Sequence, residues 1–93
     1  MADDCVYIPM KTIDVLMRSH LGGTEWSCVA AILGESTKAK SKEVAISQKE
    51  FSERTKRDIE SIRDSLKTLQ QKKIIEQTRA ATFNEPARWR MLV

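Results

Sequence analysis

The sequence predicts a mainly α domain that closes on a small β-hairpin. Apolar residues recur at helical spacing in separate stretches before Gln71, and helix-capping signatures stand at Ser47 and Asp58. The closing "ARWRMLV" then switches to a period of two. A chain of 93 residues suits a single domain, 1–93, with one modest core. Its 41% hydrophobic content is far above the disordered range, and only 3 glycines and 2 prolines interrupt it.

Taken in order, residues 1–5 are expected to be a polar, disordered start. "CVYIP" reads as a short extended piece, because Pro9 pushes Ile8 toward the β region. From Met10 to His20, Ile13, Leu16 and Met17 form the inward stripe of a first helix, which "GG" at 22–23 ends. Thr24 is placed to cap a second helix, with Glu25 set against its positive end. Trp26, Val29, Ala30 and Leu33 would form its core face, widened by Cys28, Ala31 and Ile32. A helix apolar over most of its girth belongs at the centre of the core. It is expected to stop near Gly34–Thr37. "ESTKAKSKE", with Lys38, Lys40 and Lys42, then reads as an exposed loop.

Val44–Ile46 is too short to stand as a strand alone, yet it can add a rung to a small sheet. Ser47 and Glu50 form a capping box, and Ile46 with Phe51 a hydrophobic staple, so a short helix starts here and ends near Arg54 or Thr55. Asp58 caps the next helix, whose face Ile59, Ile62, Leu66 and Leu69 runs to about Gln71. In "AATFNEP", Asn84 and Pro86 suit a turn between two strands. Ala87, Trp89, Met91 and Val93 alternate with Arg88 and Arg90, one face to the core and one to solvent. Two helices joined by a short turn and followed directly by a hairpin make a winged helix-turn-helix: 47–71 the helix-turn-helix, 74–93 the wing.

The balance of 16 basic to 13 acidic residues, net +3, permits a polyanionic partner without demanding one. Where the charge sits is more telling. Arg63 and Lys67 project from the second helix of the pair, opposite its apolar face. Lys49, Lys56, Arg57, Lys72, Lys73, Arg79, Arg88 and Arg90 stand around the turn and the wing. With Lys67, these eight are the candidate phosphate contacts, which set affinity and position on double-stranded DNA. Ser61 and Arg63 are the candidate base-edge readers, since a helix of this kind enters the major groove. Glu60 and Asp64 lie among them and argue for the other use of such a domain, docking onto a protein.

Other chemistries find little footing. The lone His20, the lack of any His, Cys or carboxylate cluster at metal spacing, and "LGG" without a following lysine predict a non-enzyme with no metal and no cofactor. Cys5 and Cys28 make no disulfide framework, and neither a signal peptide nor a membrane span is legible. The expected setting is therefore cytoplasmic.

The stretches "VYIPMKTIDVLMRSHLGGTEWSCVAAIL", "ISQKEFSERT", "SIRDSLKTLQQKKII" and "ARWRML" together resemble the N-terminal domain of bacteriophage replication proteins, the lambda O-type initiators and related replisome organisers. The likeness spans residues 6 to 92. It implies a winged helix that binds repeated origin sites in double-stranded DNA, often as a homodimer, inside a bacterial host cell. By position, it implies structural roles for Glu25, Trp26 and the capping Ser47. Ser61 and Arg63 fall on the exposed face of the recognition helix, and Arg88 and Arg90 on the returning wing strand. The chain departs from that pattern at the turn. Thr55-Lys56-Arg57-Asp58 replaces Thr-Gly-Leu-Ser, so a different turn path is expected, with the Arg57 stem or a looser angle in place of the leucine plug. A protein-docking module that modulates a replication or transcription protein, or a small phage or mobile-element repressor, fits such departures as well.

Overall fold

The structure, a computed structural model, describes residues 8–93; the expectations for residues 1–7, Cys5 included, lie outside the described residues. The elements run α1 (Met10–Arg18), α2 (Gly23–Ala39), β1 (Glu43–Ala45), α3 (Gln48–Thr55), α4 (Ile59–Gln71), β2 (Ile75–Arg79) and β3 (Arg88–Met91). The result is a mainly α domain with a small antiparallel sheet of order β1-β3-β2. No helix among the described residues is long and apolar enough to cross a membrane.

The helix ends are where sequence and structure part most. α1 stops at Arg18, short of the expected His20, because Ser19 leaves the helix and His20 turns left-handed at φ 52°. α2 begins at Gly23, with Gly22 as its N-cap and no side-chain cap, so Thr24 lies inside the helix and caps nothing. It then runs through Gly34 to Ala39, which makes residues 35–39 of the expected loop helical. One glycine costs a helix about 1 kcal/mol relative to alanine, too little to break a helix whose flanking residues are packed. Lys40 ends it instead, in the left-handed conformation at φ 53°.

α2 is the central helix, packed against α3, α4, β1 and β3, and it buries Cys28, Val29, Ala31 and Ile32. The expected core face is rotated: Trp26 is 38% exposed and Ala30 is exposed. Trp26 instead borders a shallow hollow with Ile13 of α1 and Leu33.

α3 starts as predicted. The Glu50 backbone N–H donates to Ser47 Oγ at 3.0 Å, and the Ser47 N–H donates to Glu50 Oε1 at 3.4 Å. Ile46 and Phe51 are both fully buried, closing the staple. In the turn, the position where the resembled pattern has glycine is held by Lys56 in a conformation that glycine favours. Lys56 itself adopts the left-handed conformation, φ 56° and ψ 36°. A side chain raises the energy of that conformation by roughly 1–2 kcal/mol. Arg57 is exposed, so its stem plugs nothing; an ideal Cβ on Gly23 would lie 3.5 Å from its Nη2. The Ser52 hydroxyl donates to the Arg57 carbonyl and braces the turn. Asp58 then caps α4, accepting from the Ser61 N–H at 3.1 Å and the Ser61 hydroxyl at 2.7 Å. Ile62, Ser65, Leu66 and Leu69 are buried, whereas Ile59, beside the exposed turn, is 44% exposed and leaves the expected core face.

Beyond Lys73, left-handed at φ 59°, β2 and β3 form the hairpin, pairing Ile75 with Met91 and Gln77 with Trp89 before an irregularity between Gln77 and Arg79. β1 adds the rung, with Val44 opposite Trp89. Ala87 and Trp89 are buried and Met91 and Val93 half-buried, the expected alternation. Trp89 seals the joint between sheet and helices. Its indole N–H donates to the Ile46 carbonyl at 3.0 Å, and its ring meets Phe51 edge-on at 6.0 Å.

Candidate functional site

α4, the start of α3 and the hairpin enclose an open groove of about 340 Å³. Its base is apolar and shared with the core: Ile46, Leu66, Ala87 and Trp89. Around that base stand Gln48 from α3, Arg63, Lys67 and Gln70 from α4, and Gln77 from β2. Helix geometry explains the grouping. At 100° per residue, Arg63, Lys67 and Gln70 fall on the flank of α4 next to Leu66. Glu60 and Asp64, four apart, form the next exposed row on the crest, each three residues before Arg63 or Lys67, and do not line the groove.

The ion pairs sort the other basic candidates. Arg88 pairs with Glu43 and Arg90 with Glu76 across neighbouring strands, and Arg79 pairs with Glu85 at 3.4 Å. Arg88 and Arg90 alternate with Trp89 along β3, so they stand on the sheet face opposite the one that meets the groove. Lys72 is a tie between elements. Its ammonium donates to the carbonyls of Ser19 at 3.1 Å and His20 at 3.4 Å, and to Glu25 at 3.4 Å. Sequence reasoning offered no signal for that role, because the partners lie some fifty residues away.

By contrast, Lys49, Lys56, Arg57, Arg63, Lys67 and Lys73 are exposed and form no ion pair among the described residues. Lys49 follows Gln48 at the groove, Lys56 and Arg57 sit in the turn, and Lys73 begins the path into β2. Lys38, Lys40 and Lys42 form a second unpaired group where α2 ends. Of the two base-edge candidates, the Ser61 hydroxyl gives its one proton to Asp58 and keeps only its acceptor capacity, whereas Arg63 has its donors outside any ion pair. The same two bonds from Ser61 hold the Asp58 carboxyl below the ordinary aspartate range.

Two features escaped the sequence reading. The groove amides Gln48, Gln70 and Gln77 come from separate elements and share no spacing. Phe83, at the hairpin tip, is fully exposed, although its aromatic character alone would place it in a core. Its position between "AAT" and "NEP", in a segment already read as a turn, was the available clue. No family model matches the chain, and neither a curated protein nor a solved structure matches it.

Proposed function

We propose that the chain is a winged helix-turn-helix domain that binds double-stranded DNA without catalysis, with α4 as the recognition helix and the β2–β3 hairpin as the wing. The observation that carries this reading is the segregation of charge. Cations of the sheet are neutralised by Glu43, Glu76 and Glu85, while Arg63 and Lys67 stay free at a groove edged by side-chain amides. Free cations supply the sequence-independent attraction to phosphates. Arginine donates in a fork to guanine, and glutamine pairs with adenine, so the same edge offers base readout. The resemblance to phage replication initiators supports a role at a replication origin or in transcriptional control, with a homodimer on paired sites.

The test is a binding titration of the intact chain against mixed-sequence duplex at several salt concentrations, followed by selection of bound sequences. Duplex affinity that falls steeply with salt supports the reading. No duplex binding at low salt removes it.

A second reading, docking onto a replication or transcription protein, draws on the acidic row of Glu60 and Asp64 along the crest of α4. In that case charge reversal at those two residues abolishes capture of a protein partner, and nuclease treatment leaves the capture intact.

A further inference from the structure

The tip of the hairpin carries Phe83 with its ring wholly in water, 102% exposed, more than any other large apolar side chain of the described residues. Exposure of that ring forgoes the burial a phenylalanine ordinarily gains, and the neighbours Ala80, Ala81 and Thr82 are too small to shelter it. The tip is nevertheless built. The Thr82 N–H donates to the Glu85 carbonyl at 2.9 Å, and the Glu85 N–H donates to the Thr82 hydroxyl at 3.1 Å. The Arg79–Glu85 ion pair ties the turn to β2. Phe83 is therefore the second residue of a closed turn, held out on a braced stalk.

Its position relates it to the groove. A hollow of about 310 Å³ runs beneath the tip, bordered by Ser47, Glu50, Ala81 and Phe83. Ser47 and Ala81 also border the groove of Arg63 and Lys67, so the two concavities adjoin. The acids nearest the tip are engaged, Glu85 with Arg79 and Glu50 in the capping box of Ser47. A polyanion lying along the free cations of α4 meets an apolar ring at the end of its track.

We propose that Phe83 is a wedge that enters a base step of duplex DNA from the minor groove while α4 lies along the neighbouring major groove. The proposal rests on the DNA-binding reading above. Apolar side chains that enter base steps partly unstack them and kink the duplex, and flexible pyrimidine–purine steps yield most readily. Phe83 would thus favour sites with such a step at a fixed offset from the bases α4 meets.

The experiment uses the full chain and mixed-sequence duplexes carrying 2-aminopurine at TA and CA steps, with donor and acceptor dyes at the duplex ends. The variants are Phe83→Ala, Phe83→Leu and the pair Arg63→Ala/Lys67→Ala. Wild type is expected to raise 2-aminopurine fluorescence and shorten the end-to-end distance. Phe83→Ala should lose both signals and bind roughly tenfold more weakly with an unchanged salt slope, and Phe83→Leu should keep part of both. The Arg63/Lys67 pair should instead flatten the salt slope. If Phe83→Ala binds DNA with undiminished fluorescence and bending, the wedge is refuted while DNA binding stands. If wild type binds no duplex at all, both fall together. Loss of self-association in Phe83→Ala, with DNA binding unchanged, would assign the ring to a protein contact and also overturn the wedge.

Discussion

The indole of Trp89 donates a hydrogen bond to the backbone carbonyl of Ile46, 43 positions earlier in the chain, and so locks the hairpin to the entrance of α3. Ile46 is also the staple residue for α3, and its own N–H donates to the Ala87 carbonyl at 3.1 Å. The joint therefore sets the base of the groove, which Trp89 and Ile46 line together with Arg63 and Lys67.

Replacing Trp89 with phenylalanine keeps an aromatic ring but strands the Ile46 carbonyl. A buried acceptor without its donor costs about 1–3 kcal/mol, and the missing ring adds a cavity. Denaturant unfolding should show the midpoint falling with little change in slope. An unchanged midpoint would mean that water reaches the carbonyl and the joint is looser than its geometry.

Lys56→Gly should stabilise the protein. Lys56 ends α3 at φ 56°, where glycine avoids a strain of roughly 1–2 kcal/mol, while the unfolded chain gains about 0.4–1 kcal/mol of entropy in return. The net gain expected is about 0.5–1 kcal/mol, read as a higher unfolding midpoint. Lys56→Val, a β-branched residue at the same φ, should move the midpoint the other way.

The same positions show why part of the fold was hidden in the sequence. N-cap chemistry is carried by side chains, so Ser47 with Glu50 and Asp58 with Ser61 could be read directly. Helix C-termini are usually marked by a left-handed glycine. Here His20, Lys40, Lys56 and Lys73 take that conformation, and no glycine does. With the marker absent, the end of α2 is expected near Gly34–Thr37, where the one glycine in sight stands, and the helix instead runs on to Ala39. The alternation of Ala87, Trp89 and Met91 predicted the hairpin face, because period two survives any uncertainty about boundaries. The groove itself was only half legible. Arg63 and Lys67 follow from helix periodicity, but the pairing of Arg88 and Arg90 with acids of other strands depends on sheet register.

That register gives a contrast for the proposed DNA site. Arg63→Ala or Lys67→Ala should weaken duplex binding, and loss of one phosphate contact should lower the salt slope by about one. Arg88→Ala and Arg90→Ala should change affinity far less, since their charge is already matched by Glu43 and Glu76 on the other sheet face. Fluorescence-anisotropy titrations at several salt concentrations separate the two pairs. Equal losses at all four positions would show that the sheet face also meets the nucleic acid.

Asp58 adds a pH dependence in the acid range. Its carboxylate is held by the Ser61 hydroxyl and N–H, which lowers its pKa in the folded state. The unfolded state then takes up a proton first as the pH falls, so the contribution is present above the ordinary aspartate range and is lost below it. Asp58→Ala should be less stable near neutrality, and the difference from wild type should shrink as the pH is lowered through that range. A difference constant with pH would mean that the carboxylate's charge contributes nothing to the cap.

Cys28 provides the opposite sign at the alkaline end. The thiol is fully buried against the core, and burial, with Glu25 nearby as a lesser cause, pushes its pKa up to about 11. The ordinary value for a free cysteine is 9.0. Between those values the unfolded state releases a proton that the folded state keeps, so stability falls as the pH rises. At one proton the loss approaches about 1.4 kcal/mol per pH unit, and reaches roughly that much by pH 10. A Cys5→Ser background leaves Cys28 as the sole thiol, and Cys28→Ala in that background supplies the reference without it. The stability difference between the two should narrow by that amount from pH 7.5 to pH 10, in urea unfolding followed by tryptophan emission. In the same background, a thiol reagent at pH 8 should react with native protein only as fast as the domain opens. Rapid reaction of the folded protein, or a difference indifferent to pH, would place Cys28 within reach of solvent and contradict its burial in the core.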